Sequence, residues 1–133
     1  MKLILLLLLI VPSIVFSQVE SVKIDKPQTY LFRGEGQEMR NCYLYIDSEG
    51  IYYLVNLTTV AQSEVAEWFE KRKNSQNIYK GTVESGQYKT LSLVKDDEQG
   101  ASISFYYERK ERSEIQLISL QDGRIFIFKL IAS

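Results

Sequence analysis

From Gln28 onward the sequence is a succession of short segments rich in tyrosine, leucine, isoleucine and valine, each closed by a turn signal. Few architectures accommodate that rhythm. Aromatic and β-branched residues suit a pleated, half-buried surface, and closely spaced turns fold such segments into an antiparallel meander. Tyr30-Leu31-Phe32 begins the first strand, with Gly34 and Gly36 loosening the chain after it. Strands follow over 41–46, 51–57, 78–84, 88–94, 101–109, 114–120 and 124–131. Ser85-Gly86, the acidic stretch Asp96-Asp97-Glu98-Gln99-Gly100, a charged bend at Lys110-Glu111-Arg112 and the hairpin signal Asp122-Gly123 separate the later ones. The expected fold is all-β with one helix: an up-and-down meander of about eight strands, a number that suits a barrel closed on itself.

The best hairpin joins 41–46 to 51–57 through Asp47-Ser48-Glu49-Gly50. A two-residue loop would put Leu44, Ile46, Ile51, Tyr53 and Val55 on one face. A three-residue loop would move Tyr43 and Tyr45 there instead, because a slip of one residue exchanges the faces of a strand. The two-residue loop is the favoured expectation.

One segment departs from the period of two. Ser63 to Lys73 predicts a helix, with Ser63 as N-cap, acidic residues in the first turn and basic ones in the last, which complements the helix dipole. Val65, Trp68 and Phe69 form its apolar stripe, expected to lie on the sheet, while Glu67 and Lys71 pair one turn apart on the wet side.

The first residues have the three parts of an export signal: Lys2, the apolar run from Leu3 to Val11 broken by Pro12, and Val15 and Ser17 before Gln18. Residues 1–17 are therefore expected to be a signal peptide, 18–27 an N-terminal extension, and 28–133 a single barrel domain. The run from Leu3 to Phe16 is too short to cross a membrane, which takes roughly 20 apolar residues, and no cysteine stands at the cut to receive a lipid. The expected location is periplasmic or secreted, with no membrane span in the mature chain. A chain of this length buries a core without disulfides, and Cys42 is the single cysteine.

The landmarks in their order resemble a group of small exported bacterial lipocalin-like proteins of uncharacterised function, over roughly residues 43–130. A strand ends in the turn Asp47-Ser48-Glu49-Gly50, a polar segment leads to a helix with the core Ala66-Glu67-Trp68-Phe69, and the strand Tyr79-Lys80-Gly81-Thr82 follows. The last strand, Phe126-Ile127-Phe128-Lys129-Leu130, is rich in aromatics. Ser48-Glu49 stands where a Pro-Asp pair is usual, and the acidic loop after Val94 replaces a shorter connection. The resemblance implies a lipocalin-type barrel and transfers no ligand, since such folds host many functions.

Chemistry is constrained mainly by what is missing. The chain has no histidine, which removes the commonest general base, the Ser-His and Cys-His nucleophile systems and most zinc sites. No catalytic constellation, cofactor or metal site is expected. Cys42 has no cationic neighbour to lower its pKa and reads as a buried structural thiol. Asp96-Asp97-Glu98 lacks the alternating oxygen ligands of a calcium loop, and a glycosidase-like carboxylate pair would lack supporting pocket residues. Sixteen basic against seventeen acidic residues leave no basic footprint for nucleic acid. The basic groups at Lys71-Arg72-Lys73 and Arg109-Lys110 read as helix-end and edge charges. Asn56-Leu57-Thr58 forms a glycosylation sequon that matters only in a eukaryotic host.

The aromatics remain. Tyr52-Tyr53, Phe105-Tyr106-Tyr107 and Phe126 with Phe128 either fill a small barrel, whose interior is only just wide enough for side chains, or line a ligand pocket. Filling is the plainer reading. The candidate ligand-binding residues are Tyr53, Trp68, Phe105, Tyr107 and Phe126, with the helix carrying Trp68 as wall or lid. The expected function is a non-enzymatic exported module for a small apolar or amphipathic ligand. The alternative is an inhibitor or assembly accessory that meets a protein partner through a tyrosine-rich face.

Overall fold

The computed structural model describes residues 26–34, 39–75, 77–95 and 100–132. Residues 1–17, expected as a signal peptide, the acidic stretch 96–98 and residues 18–25 of the expected extension lie outside them. Among the described residues, nine strands form one antiparallel sheet: β1 (Gln28–Phe32), β2 (Cys42–Ile46), β3 (Tyr52–Asn56), β4 (Tyr79–Gly81), β5 (Val83–Ser85), β6 (Lys89–Lys95), β7 (Ser102–Glu111), β8 (Glu114–Ser119) and β9 (Ile125–Ala132). Each strand pairs with its chain neighbour except at two seams. β1 pairs with β9, and β4 pairs with β6. Those seams close eight strands into the expected barrel, with β5 as an extra strand on β6.

The expected strand over 78–84 is thus two strands, broken at Thr82. The break follows a close approach between β4 and β6. A Cβ on Gly81 would lie 1.9 Å from the carbonyl oxygen of Ser92, so only a residue without a side chain lets β4 press onto β6 there.

Alternation sorts the strand residues into two cores. Tyr30, Leu44, Ile46, Tyr52, Leu54, Leu91, Leu93, Phe105, Tyr107, Ile115, Leu117 and Phe128 are buried inside the barrel. Leu31, Tyr43, Tyr45 and Tyr53 point outward on β1–β3 and are buried under helix α1 (Val65–Arg72). Val65 and Phe69 are the buried residues of α1, and Phe69 stacks on Tyr45 with ring centroids 4.8 Å apart and planes 4° from parallel. Glu67 and Lys71 pair at 2.9 Å on the exposed side as expected. The N-cap expectation needs correction: Ser63 lies within a 3-10 turn (Gln62–Glu64), and the α-helix begins after Glu64 with no side-chain cap.

The hairpin register is the second correction. Ile46 aligns with Tyr52 and Tyr45 with Tyr53, and the Asp47 N–H donates to the Ile51 carbonyl at 3.0 Å. The loop is therefore the three residues Ser48-Glu49-Gly50, with Gly50 at φ 82°. That left-handed position is open to glycine at little cost, and it admits the three-residue loop built on a type I turn. Tyr53 consequently leaves the barrel interior and joins Tyr43 and Tyr45 outside. Two further turns shift slightly. Arg112-Ser113, one step later than the expected bend, join β7 to β8. The Asp122-Gly123 signal belongs to a four-residue loop, closed by a bond from the Ser119 N–H to the Arg124 carbonyl. Among the described residues, no helix is long and apolar enough to cross a membrane.

Candidate functional site

The two ends of the barrel differ in chemistry. At one end β1 starts and β7 finishes, and the inward residues there are polar-tipped. Tyr52 and Tyr107 share a hydrogen bond between their hydroxyls at 2.8 Å, with the rings edge to face at 5.5 Å. Arg109 Nη2 donates to Gln28 Oε1 at 2.6 Å and to the Tyr30 hydroxyl at 2.8 Å. The Tyr30 hydroxyl lies 2.8 Å from two acceptors, Gln28 Oε1 and the Arg112 carbonyl. Burial pushes the Tyr30 phenol above its usual range, against the opposing pull of Arg109. Burial also raises Tyr52, with the Tyr107 hydroxyl adding to it. Both phenols stay neutral, and these bonds tie the polar tips at this end to one another.

The other end is open. A cavity of about 500 Å³ enters the barrel where β7 begins and β8 ends. Its apolar wall is Met39, Leu54, Ile103, Phe105 and Phe126. Ser102, Ser119, Gln121, Asp122 and Arg124 bring polar groups to it from the strand ends and the β8–β9 loop. Phe105 and Phe126 meet edge to face at 6.2 Å, and Phe32 leans on Phe126 at 6.1 Å. Arg124 lies over the Phe126 ring at 5.4 Å, and its Nε donates to Asp122 Oδ2 at 2.9 Å. The Arg124 backbone N–H also donates to Asp122 Oδ1. These bonds hold the Asp122 carboxyl below the usual carboxylate range.

The candidate residues divide accordingly. Phe105 and Phe126 line the open cavity. Tyr107 plugs the barrel deeper down, bonded to Tyr52. Tyr53 is on the outer face, where its hydroxyl donates to Asp47 Oδ2 at 2.9 Å. Trp68 stands half-buried on the flank, edge to face with Phe69 at 5.2 Å and with the Arg72 guanidinium 5.3 Å from its ring centre. It borders a shallow groove of about 290 Å³ with Val60 and Lys71. The helix is therefore neither wall nor lid of the cavity. Leu54 and Ile103 could have been found by stepping two residues along β3 and β7 from Tyr52 and Phe105. Met39 and the β8–β9 loop residues carry no such period.

No family model matches the chain, nor does any curated protein or solved structure. The site must be read from its own geometry.

Cys42 is buried beside the cavity, with Asn56 Nδ2 at 3.8 Å and Met39 Sδ at 3.9 Å. Burial raises its pKa, so the thiol stays protonated and weakly nucleophilic. Among the described residues no cluster of three or more His, Cys, Asp or Glu side chains is placed to hold a metal.

Proposed function

We propose that the protein is an exported, non-enzymatic binding module that holds a small apolar or amphipathic ligand in the open mouth of its barrel. One observation supports this above the others. The inward-facing residues form one buried core, yet a cavity of about 500 Å³ opens at one end, within the size range of small-molecule pockets. A wall of Phe105, Phe126, Leu54, Ile103 and Met39 beneath polar loop groups matches a ligand with an apolar body and a polar end. The absence of histidine fits retention rather than turnover.

Incubating the mature protein with a lipid extract and recording native mass spectra tests the reading. A reproducible adduct that is lost in an Ile103→Trp variant, which fills the mouth, supports it. A protein that stays empty with every extract and dye contradicts it. Tryptophan fluorescence is the wrong reporter, because Trp68 lies on the outer flank.

A second reading has its own support. Tyr88, Tyr106 and Ile125 are exposed on the outer face of the β6–β9 wall, opposite the helix. Tyr106, Ile118 and Ile125 lie in one row across adjacent strands, and Tyr88 meets Tyr106 edge to face at 5.8 Å. Tyrosine-rich faces are common at protein interfaces. Pull-down from the native host's secreted fraction, compared with a Tyr88→Ser/Tyr106→Ser variant, tests it; equal recovery by both counts against it.

A further inference from the structure

Resting on the reading of the barrel mouth as a ligand site, we propose that the mouth takes a compact aromatic alcohol rather than a long-chain lipid. The depth of the cavity carries this. On β7 the inward residues Ile103 and Phe105 line it, and the next one, Tyr107, does not. The lining stops at Phe126 on β9, at Ser119 on β8 and at Leu54 on β3. One inward step further stand Phe128 and Leu117, each 0 % exposed, and Tyr52, bonded to Tyr107 at 2.8 Å. A residue at 0 % touches no space that a water molecule could enter, so Phe128 and Leu117 form the floor of the cavity.

Successive inward residues of one strand are about 7 Å apart. A space of about 500 Å³ over that depth is as wide as it is deep. Such a shape suits rings better than chains. An extended acyl chain is narrow and leaves width unfilled beside it, and wall atoms that face a gap lose their dispersion contacts. The part of the chain that outruns the floor stays in water, where its methylenes forgo burial. A fused ring fills the width at the same depth.

The walls favour an aromatic ring in particular. Phe105 and Phe126 stand at 90° with centroids 6.2 Å apart, so a third ring can meet either one in the edge-to-face or offset geometry that aromatic pairs prefer. Met39 adds a thioether to the same wall, and sulfur also makes favourable contacts at ring edges. At the rim, Ser102, Ser119 and Gln121 offer neutral donors and acceptors, which suit a single hydroxyl at the outer end of the ligand.

The test is an NMR titration that follows the Leu54 and Ile103 methyl signals, with butanol, hexanol, octanol, decanol and naphthylmethanol as probes. The linear alcohols should gain about fourfold in affinity per methylene while the chain still enters, and less than about twofold in all between octanol and decanol. Naphthylmethanol should bind about fivefold tighter than decanol, or more. Leu117→Ala lowers the floor and should restore the gain from octanol to decanol. Phe105→Leu keeps an apolar wall, and it should weaken naphthylmethanol about fivefold while leaving hexanol within about twofold. An affinity that climbs at an undiminished rate through decanol, or decanol binding tighter than naphthylmethanol, overturns the compact class and keeps the site. A folded Leu117→Ala variant with an unmoved plateau overturns the floor on which that class depends. No methyl shift with any probe overturns the site reading and this inference together.

Discussion

The Tyr53 hydroxyl donates a 2.9 Å hydrogen bond to the carboxylate of Asp47, six residues earlier in the same hairpin. Asp47 is itself 2 % exposed. Its other oxygen accepts the backbone N–H groups of Glu49 at 2.9 Å and Ile51 at 3.0 Å. Lys73, just past the end of α1, brings its ammonium to 3.9 Å. A single carboxylate thereby fixes the three-residue loop, holds Tyr53 on the outer face and ties the end of the helix to the barrel. Glu70 adds a second tie by accepting the Tyr45 hydroxyl at 2.5 Å.

Asp47→Ala should therefore destabilise the fold more than an ordinary loop substitution. It strands two backbone donors and a phenol, and an unpaired buried polar group costs about 1–3 kcal/mol. A loss of at least about 2 kcal/mol in urea unfolding is expected, with Asp47→Asn intermediate because it keeps an acceptor oxygen. A loss below about 0.5 kcal/mol, the range of a neutral surface change, would show that the loop holds its register without the carboxylate.

The buried phenols set an alkaline limit. Tyr30, Tyr45, Tyr52 and Tyr53 are all raised above the ordinary tyrosine range, each chiefly by burial. Tyr45 and Tyr53 are raised further by hydrogen bonds to Glu70 and Asp47. Above the unfolded pKa of about 10, the unfolded chain loses these protons while the folded one keeps them. Stability from these groups is thus complete below about pH 10 and declines as pH rises toward the folded values. Ultraviolet titration should show several of the nine tyrosines ionising only together with loss of the near-ultraviolet circular dichroism. Reversible ionisation of all nine in one step with the fold intact would contradict the burial.

Gly81→Ala tests the closure of the barrel. Its Cβ would fall 1.9 Å from the Ser92 carbonyl oxygen, backbone that cannot swing aside, whereas a Cβ on Gly86 would meet its nearest neighbour at 3.9 Å. Overpacking of this kind costs about 1–3 kcal/mol, which lowers the melting temperature by about 4–8 °C per kcal/mol in a domain of this size. Gly86→Ala is the control and should melt close to wild type. Equal melting of the two variants would mean that β4 and β6 do not close as described.

The barrel was legible because alternation and turn chemistry are local signals. The helix was legible for the same reason, with Val65 and Phe69 one turn apart and charges sorted by the dipole. What went astray depended on a single residue of loop length. Ser48-Glu49-Gly50 admits either register by pattern alone, and the choice decided whether Tyr53 faced the interior or Phe69. Asp47 read simply as a turn residue, because burial of a carboxylate comes from the helix end that arrives from far along the chain. The cavity was half legible: Phe105 and Phe126 follow from the period of two. Met39 and the Asp122–Arg124 pair enter from irregular segments, where position is set by tertiary packing.

Native mass spectrometry of the protein against a lipid extract tests the ligand-binding reading most directly. The mouth cavity predicts one bound molecule per chain, displaced by Ile103→Trp and unaffected by Trp68→Phe on the outer flank. An empty wild-type spectrum, or an adduct that survives Ile103→Trp and disappears with Trp68→Phe, would contradict a ligand site in the barrel mouth.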